Sequence, residues 1–364
     1  MLAGGGTAGH VNPLLAVADE LRRRDPGVRI TVLGTAAGLE ARLVPARGYD
    51  LVPVPRVPLP RRPTLDWLRL PGRLRAAVHA AEQAITTSGA RVVVGFGGYV
   101  ATPAYLAARR LGIPVVVHEQ NARPGLANRL GARWARAVAV TFPGTALPGA
   151  QVTGLPLRPE IADLVAARDQ DPAAVRGDAA RALGLDPALP TLLVTGGSLG
   201  AVSLNTAVAA SAAALLASGV QVLHSTGAGK DEAVRAALVG VAGAERYHVR
   251  EYLDRMELAL GAADLVVCRA GAGTVSEQAA LGLPAVYVPL PVGNGEQRLN
   301  AETVVASGGG LLVADADLTP AWIAAQVVPL LADRERLARM GAAARSAGVA
   351  DGASRVVDLV EGAR

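Results

Sequence analysis

The stretch DLVVCRAGAGTVSEQAALGLPAVYVPLPVGNGEQRLN, residues 264–300, is the part of the chain from which the fold is predicted. Its apolar run Leu265–Cys268 predicts a buried strand, and a turn that contains glycine follows it. From Gly273 the apolar residues recur at helical spacing, until Gly282 ends the helix. A second strand is expected over Ala285–Val288. Strand, turn, helix and strand therefore follow one another directly.

The turn and the helix start in this stretch predict an anion site. The first N–H groups of a helix have no partner within it, and the helix dipole is positive there. Residues 270–274 carry no bulky side chain, so a phosphate can approach the backbone closely. Glu277 can accept hydrogen bonds from a ribose diol, and the amides of Gln297 and Asn300 can bond sugar hydroxyls. The open alternative is that Glu277 only stabilises the helix start and that Gln297 is a solvated residue.

Size and composition indicate a globular protein of about two domains. The chain has 364 residues, of which 51% are hydrophobic and 42 are glycine. Its single cysteine, Cys268, lies in a predicted buried strand, which excludes a disulfide framework and indicates a reducing compartment. We find no signal peptide and no apolar run of about 18 residues, so we expect no membrane span.

Charge is distributed unevenly along the chain. Residues 1–158 contain 20 arginines and 8 acidic residues, a net charge of +12, whereas the remainder carries −7. This asymmetry predicts that the first half faces an anionic partner, which is a nucleic acid, a membrane surface or a phosphorylated substrate.

Strand and helix patterns alternate, which predicts parallel sheets covered by helices on both faces. The strands are expected at 2–3, 29–33, 51–54, 91–95, 114–118, 137–140, 191–195, 220–224, 247–249, 265–268, 285–288 and 310–313. The helices are expected at 14–24, 73–86, 100–111, 126–134, 201–217, 320–331, 333–346 and 352–361.

Residues 155–190 contain five prolines, and we expect the linker and the domain edge near 155–165. We expect a first Rossmann-like domain over 1–160 and a second over 161–345, with a C-terminal helix in 346–364 that packs back on the first. Both halves begin with a strand followed by similar motifs, GGTAGH and GGSLGA. The predicted fold class is therefore α/β, with two doubly wound parallel-sheet domains that face each other across a cleft.

Three common sites are excluded by spacing. The motif GGGTAGHVNP, residues 4–13, is not a dinucleotide fingerprint, because no acidic residue precedes Glu40 after the second strand. A Walker motif fails because Lys230 is followed by Asp231. One cysteine and scattered histidines give no metal-ligand spacing, so we expect no metal and no cofactor.

Two residues are candidates for general acid–base chemistry. His10 lies at the start of a helix, whose positive dipole lowers the pKa of an imidazole, so a neutral base is available there. Glu119 belongs to the motif HEQNARPGLANR, residues 118–129, which follows a predicted buried strand. Polar groups at that position need partners, so a substrate role and a structural hydrogen-bond network both stay open. For His10 the alternative is a loop histidine without a function.

The segment RVPLPRRPTLDWLRLPGRLR, residues 56–75, mixes arginines with leucines and a tryptophan. An apolar patch edged by arginine suits an anionic bilayer surface. The alternative is a loop that covers its own core. Nucleic-acid binding is not favoured, because aromatic residues are few and no recognition motif is present. The membrane-contact candidates are Arg61, Arg62, Trp67, Leu68, Arg69 and Arg73.

The motifs GGGTAGHVNP, GFGGYV, HEQNARPGLANR, VTGGSLGAVSLN, CRAGAGTVSE and GNGEQRLNA, taken together, resemble one family. These are the bacterial peptidoglycan glycosyltransferases that move N-acetylglucosamine (GlcNAc) from UDP-GlcNAc to undecaprenyl-pyrophosphoryl-MurNAc-pentapeptide (lipid I), forming lipid II. The resemblance covers about residues 3–360. It implies a GT-B fold, with the lipid acceptor on the N-terminal domain and UDP-GlcNAc on the C-terminal domain. It also implies a peripheral protein at the cytoplasmic face of the cell membrane.

The resemblance also implies roles for individual residues. Thr7, Ala8, Gly9 and His10 would line the acceptor side of the cleft and touch the donor, and Asn121 would contact the transferred sugar. Arg158 and Ser198 would bind the nucleotide and its phosphates, and Leu253 would lie by the uracil. The pyrophosphate, ribose and GlcNAc hydroxyls would be bound by Ala272, Gly273, Thr274, Val275, Ser276, Glu277 and Gln297.

Two departures from the family pattern are visible. Leu199 stands where the family often has glutamine in S-Q-G, and Glu296 precedes Gln297 where a glutamine pair is frequent. Phosphate contacts near Leu199 are therefore expected to differ.

The implied reaction is an inverting transfer in which the MurNAc 4-hydroxyl displaces UDP, with His10 as first and Glu119 as second candidate for the base. The helix starts after Gly197 and Gly273 would stabilise the departing charge. Alternatives are a UDP-GlcNAc 2-epimerase, a natural-product glycosyltransferase and a non-catalytic sugar-nucleotide sensor.

Overall fold

The computed structural model describes residues 1–57 and 66–364, without the side chains of 66–68. The expected membrane-contact residues Arg61 and Arg62, and the side chains of Trp67 and Leu68, therefore lie outside the described residues. The chain divides into two compact units. The first unit contains Met1–Arg158 and Asp351–Arg364, and the second contains Pro159–Ala350.

The first unit is built on a seven-stranded, fully parallel sheet with strand order β3-β2-β1-β4-β5-β6-β7. The central strands are short apolar runs that are buried on both faces, as a covered parallel sheet requires. The strands are β1 (Leu2–Ala3), β2 (Thr31–Gly34), β3 (Asp50–Pro53), β4 (Val93–Gly95), β5 (Val115–Glu119), β6 (Ala137–Val140) and β7 (Ala150–Val152).

Helices cover both faces of this sheet, and two buried apolar clusters lie between the helices and the strands. One further helix comes from the end of the chain. The helices are α1 (Ala8–Arg24), α2 (Leu39–Ala46), α3 (Asp66–Ser88), α4 (Gly98–Arg110), α5 (Leu126–Gly131) and α16 (Gly352–Glu361).

The second unit repeats the plan with a six-stranded parallel sheet of order β10-β9-β8-β11-β12-β13. Its strands are β8 (Thr191–Thr195), β9 (Gln221–Ser225), β10 (Tyr247–Arg250), β11 (Leu265–Cys268), β12 (Ala285–Tyr287) and β13 (Gly310–Leu312). Its helices are α6 (Pro159–Gln170), α7 (Pro172–Ala182), α8 (Val202–Ala210), α9 (Ala212–Ala217), α10 (Glu232–Ala237), α11 (Met256–Ala262), α12 (Ala272–Leu281), α13 (Glu296–Ala306), α14 (Pro320–Ala332) and α15 (Arg334–Ala347).

The expected α/β class with two parallel-sheet domains is confirmed, but the two helices that follow the boundary between the units were not predicted. Pro159 and Pro172 each begin a helix, because proline is well tolerated in the first turn, where its missing N–H has no helical partner. The side chain of Asp171 also accepts a hydrogen bond from the Ala174 N–H, at 2.9 Å, and so caps α7. Prolines that indicated a linker are therefore helix starts.

Helix α1 begins at Ala8, six residues earlier than the expected Leu14. Glycine and proline in this segment weaken the local helix pattern, but Val11 and Leu14 are fully buried in the core of the first unit. Tertiary packing therefore outweighs local propensity here. As a result His10 lies within the first helical turn.

Helix α16 closes the core of the first unit against α1. Val356 and Val357 are fully buried in the same apolar cluster as Leu14. At the edge of this contact, Arg24 donates to Asp358 at 2.6 Å, to Glu361 at 3.0 Å and to the Ser354 hydroxyl at 2.6 Å (all on α16). The end of the chain is thus fixed by both apolar and ionic contacts.

We expect Arg24→Ala to lower the stability of the first unit by about 1 to 2 kcal/mol, because several charge-assisted hydrogen bonds to α16 are lost together. Amide hydrogen exchange of α16 measures this directly. Arg23→Ala is the matched control: Arg23 also pairs with Glu20 but its side chain is 71% exposed. Equal exchange rates for α16 in both variants would contradict the prediction.

Candidate functional sites in the two units

In the first unit, His10 lies where the first glycine loop enters α1. Thr7 has extended backbone (φ −131°) and precedes the helix, and its hydroxyl lies 3.0 Å from His10 Nδ1. The residues between them, Ala8 and Gly9, are exposed. Burial lowers the pKa of His10 below its usual value, although a hydrogen bond at Gly5 and the charge of Glu40 oppose the shift. His10 is therefore a neutral imidazole at pH 7, as a general base requires.

A second glycine loop, after β4, packs against the first. Gly97 and Gly98 have φ values of +88° and +76°, which favour glycine. A Cβ on Gly97 would lie 3.2 Å from the His10 ring, and one on Gly98 would lie 2.6 Å from the Gly5 carbonyl oxygen. Only glycine therefore allows the two loops to approach in this way and leaves His10 in place.

Glu119 ends β5 with a buried carboxylate that is 2% exposed. It accepts hydrogen bonds from the N–H groups of Asn121 and Gly125 and from Asn128 Nδ2, each at 2.9 Å. Burial raises its pKa, and these hydrogen bonds oppose the rise. Asn128 is itself held by the Tyr105 hydroxyl at 2.7 Å. The carboxylate thus organises the loop that contains Asn121. This favours a structural hydrogen-bond network over a direct substrate role for Glu119.

In the second unit, α12 begins directly after the short turn that follows β11. The backbone of Gly271 is extended, and a Cβ on Gly273 would meet no atom within 4 Å, so the space beside the helix start is open. No acidic residue lies in the first turn of α12. The turn is held from behind by buried Asn300, whose Nδ2 donates to the Ala270 carbonyl at 3.2 Å. The predicted anion site therefore has the required backbone.

The other residues expected to bind UDP-GlcNAc lie on α12 and at the start of α13. Val275 is buried, whereas Thr274, Ser276 and Glu277 are half-buried. Gln297 lies in the first turn of α13, and its Oε1 accepts the Leu290 N–H at 3.0 Å. That bond leaves the Gln297 amide nitrogen to donate elsewhere.

A loop after β8 forms a second helix start, at α8. Gly200 has a φ of +67°, and a Cβ there would lie 2.0 Å from the Thr226 carbonyl oxygen. Ser198 is exposed, and so is Leu199, whose side chain is 81% exposed. Lys230 Nζ donates to the Leu199 carbonyl oxygen at 2.6 Å. The backbone of this loop is therefore anchored, while its side chains face solvent.

Two other expected residues lie apart from these loops in the sequence. Leu253 is 8% exposed in the second unit, after β10. Arg158 is half-buried and is the last residue of the first unit before α6.

Arg269 is a residue that sequence analysis did not identify. It follows β11, pairs with Asp315 at 2.5 Å and donates to the Ser203 hydroxyl at 2.9 Å and to the Val288 carbonyl at 3.1 Å. One guanidinium thus joins the start of α8, the turn before α12 and the end of β12. The signal in the sequence was a charge directly after an apolar strand.

Behind the loop after β8 lies a buried network centred on His224. Its ring nitrogens lie 2.8 Å from the Tyr247 hydroxyl and 3.1 Å from Asn205 Oδ1. Asn205 in turn donates to the Thr226 carbonyl at 2.9 Å. Burial lowers the pKa of His224 to about 4, and burial likewise lowers the pKa of His118 in the first unit to about 4.

Lowering the pH is therefore expected to destabilise both units at pH values above the range in which carboxylates titrate. The unfolded chain binds a proton at each histidine near pH 6.5, whereas the folded chain does so only near pH 4, so stability falls as the pH falls through this window. Each site contributes a loss of about 2 kcal/mol between pH 7 and pH 5. Urea unfolding at both values measures it. His224→Gln should reduce the loss, exposed His79→Gln should not, and identical losses would contradict the prediction.

Within residues 1–57 and 66–364, no set of three or more His, Cys, Asp or Glu side chains is arranged to hold a metal ion. In the same part of the chain, no helix combines the length and the apolar character needed to cross a bilayer.

Comparisons with known proteins match both halves to one family. Residues 1–140 match the glycosyltransferase family 28 N-terminal domain, and residues 191–356 match the glycosyltransferase family 28 C-terminal domain.

Three similar proteins illustrate the relationship. A UDP-N-acetylglucosamine–N-acetylmuramyl-(pentapeptide) pyrophosphoryl-undecaprenol N-acetylglucosamine transferase from Clavibacter sepedonicus is 61% identical over 100% of this chain and 96% of its own. MurG from Acinetobacter baumannii is 30% identical in sequence, and its crystal structure matches with a TM-score of 0.79 over 100% of this chain and 99% of its own. A UDP-GlcNAc 2-epimerase from Neisseria meningitidis, 13% identical, has a TM-score of 0.72 over 99% of both chains, which is a likeness of fold alone.

Proposed function

The chain belongs to glycosyltransferase family 28, and from this membership we propose that it transfers GlcNAc from UDP-GlcNAc to the MurNAc 4-hydroxyl of lipid I, forming lipid II. The observation that carries the proposal is the 61% identity, over the whole chain, to a relative named for this transfer. The 2-epimerase shares the fold but is only 13% identical in sequence, so this likeness gives no support for epimerisation.

The second unit is proposed to bind UDP-GlcNAc. The open space at Gly273 and the N–H groups of the first turn of α12 suit the diphosphate, because they offer donors and positive potential in a turn that contains no acidic residue. Ser198 would contact a phosphate from the anchored loop before α8. Glu277 would accept from the ribose hydroxyls, Gln297 would bind the GlcNAc hydroxyls, and Leu253 would lie by the uracil.

The first unit is proposed to bind the acceptor and to supply the base. The MurNAc oxygen O4 attacks the anomeric carbon, the bond from that carbon to the phosphate oxygen breaks, and UDP leaves with the electron pair. The proton of the hydroxyl passes to His10, whose lowered pKa keeps it neutral and able to accept it. Glu119 is the second candidate, but its oxygens already accept three N–H groups.

The helix start at Ala272 is proposed to stabilise the charge that develops on the departing diphosphate. Backbone N–H groups there are fixed before the reaction, so they need no rearrangement as charge appears. Thr274 and Ser276 would add hydroxyl donors.

The test of this function is UDP release from UDP-GlcNAc with and without a lipid I analogue. We expect release only with the analogue, together with a product one GlcNAc heavier. Formation of UDP-N-acetylmannosamine without acceptor would establish the epimerase instead, and release with a soluble aglycone alone would establish a natural-product glycosyltransferase. Donor binding without release under any condition would indicate a sensor.

The proposed location is the cytoplasmic face of the cell membrane, with peripheral attachment through the basic segment. Within the described part of α3, Arg69 and Arg73 are exposed and lie one helical turn apart, while Leu70 and Leu74 are half-buried. Exposed arginines on one face suit the anionic headgroups around an undecaprenyl-linked substrate.

We expect the double substitution Arg69→Ser and Arg73→Ser to weaken binding to vesicles rich in phosphatidylglycerol by roughly 10- to 30-fold, since each arginine near such a surface contributes about 1 kcal/mol. Vesicle sedimentation at fixed ionic strength measures this. Arg334→Ser and Arg336→Ser, a pair of exposed arginines on α15, is the control. If both pairs weaken binding equally, α3 is not the contact surface.

A further inference from the structure

We propose that Glu40 is a positioning residue for the transfer reaction, whose buried carboxylate holds the first glycine loop in the shape that places His10 at the start of α1. The inference rests on the proposed function, because it concerns the residue proposed as the base.

The side chain of Glu40 joins two loops at the carboxyl ends of neighbouring strands. Glu40 lies in the first turn of α2 and is completely buried, at 0% exposed. Its Oε2 accepts the Gly6 N–H at 2.9 Å, and its Oε1 accepts the Thr35 N–H at 2.9 Å and the Thr35 hydroxyl at 2.6 Å. Gly6 follows β1 and Thr35 follows β2, so the carboxylate connects these loops directly.

Three glycines form a slot that this carboxylate fills. A Cβ on Gly5 would lie 2.4 Å from Glu40 Oε1, one on Gly38 would lie 2.2 Å from Oε2, and one on Gly34 would lie 2.6 Å from Cγ. No larger residue fits at any of these positions while Glu40 stays where it is. The loop and the carboxylate are therefore shaped for each other.

The same loop determines the position of His10. The Gly5 carbonyl packs against Gly98, and the neighbouring Gly97 packs against the His10 ring. If Glu40 releases Gly6, both contacts shift and the imidazole loses its support. His10 also faces the Thr7 hydroxyl. Among the described elements around the His10 ring, Glu40 supplies the charge that acts on it. This charge raises the pKa of His10, but burial lowers that pKa by more.

A buried carboxylate is a costly way merely to fill space, because desolvation of its charge must be offset by hydrogen bonds. Burial raises the pKa of Glu40, but the bonds from Thr35 and Gly6 outweigh it, and the net pKa lies below its usual value. The group is therefore a fixed anion at neutral pH. It supplies acceptors that the backbone of the glycine loop cannot obtain from an apolar residue.

The experiment compares Glu40→Gln with wild type in the UDP-release assay. Glutamine keeps the size but turns one oxygen into an NH2 group, so in either orientation the N–H of Gly6 or that of Thr35 faces another donor and the connection between the two loops is broken. We expect kcat to fall at least 10-fold while the KM for UDP-GlcNAc stays within twofold, and we expect NMR titration to give a lower His10 pKa. Unchanged kcat in Glu40→Gln would overturn the proposal.

The control is Asp19→Asn in the same unit. Asp19 accepts from the Tyr49 hydroxyl and from Arg47, both at 2.7 Å, and lies outside the glycine loops. We expect it to lower Tm but to leave kcat and the His10 titration unchanged. If Glu40→Gln loses no more kcat than Asp19→Asn at equal loss of Tm, Glu40 is structural and the proposal fails.

Gly5→Ala provides a second variant if Glu40→Gln does not fold. The added Cβ would push against Glu40 Oε1, so the same fall in kcat with an unchanged donor KM is expected. Wild-type kcat in Gly5→Ala would overturn the proposal. If the proposed function itself is wrong, the wild-type chain will release no UDP with a lipid I analogue. The His10 titration can still test the contact with Glu40 in that case, because it needs no turnover.

Discussion

Replacing His10 with alanine is expected to lower kcat for lipid II formation by a factor of about 10² to 10⁴, the range that a general base contributes. The KM for UDP-GlcNAc should change little, because the residues proposed to bind its diphosphate and ribose, Ala272 to Glu277, lie in the second unit. Tm should also change little, since the His10 side chain is only half-buried and its hydrogen bond to the Thr7 hydroxyl lies at the surface. Steady-state kinetics with a lipid I analogue measures all of this.

The pH dependence supplies an independent check on the same residue. Because the pKa of His10 lies below 6.5, activity should fall on the acid side of neutrality as the base becomes protonated. The acid limb should disappear in the residual activity of His10→Ala. His79→Ala is the control, since His79 is exposed on α3 of the same unit. Near-normal kcat in His10→Ala would transfer the role of base to another group, with Glu119 next in line.

Glu277→Gln is expected to raise the KM for UDP-GlcNAc by roughly 10- to 100-fold with a smaller change in kcat. A carboxylate that accepts from two ribose hydroxyls contributes about 1.5 to 3 kcal/mol, and glutamine of the same size keeps only one acceptor. The same loss should appear in the Kd for UDP alone, measured by calorimetry. Binding of UDP without turnover separates affinity from chemistry.

The control for this substitution is Glu302→Gln on α13, an exposed carboxylate of the same unit. It should leave the Kd for UDP unchanged. A normal Kd in Glu277→Gln would mean that Glu277 only stabilises α12, which is the alternative that the sequence left open.

Much of the fold could be predicted from local pattern. Leu265–Cys268, Thr191–Thr195 and Ala137–Val140 are strands with the expected bounds, because buried parallel strands are short apolar runs with sharp ends. Helix α12 also ends as expected, since Gly282 adopts the left-handed conformation that closes a helix. These features depend on neighbouring residues alone.

What could not be predicted depends on residues far apart in the chain. In the sequence, Glu40 is only an acidic residue that lies too far after the second strand for a dinucleotide motif. In the structure it accepts a hydrogen bond from Gly6, which is 34 residues away. Arg269 likewise acts through Ser203 and Asp315, which no local pattern connects with it. Helices α6 and α7 were missed for another reason, because proline marks both linkers and helix starts.

The return of α16 to the first unit has a consequence for biosynthesis. Val356, Val357, Val360 and Ala363 complete a hydrophobic core whose other buried members precede residue 140. On the ribosome those earlier residues emerge first but cannot bury their full apolar surface until Val356 and the residues after it have been translated. The second unit contains its entire core in one continuous stretch, so it can fold while the nascent chain is still growing. The first unit therefore completes its core only after the whole of the second unit has been translated.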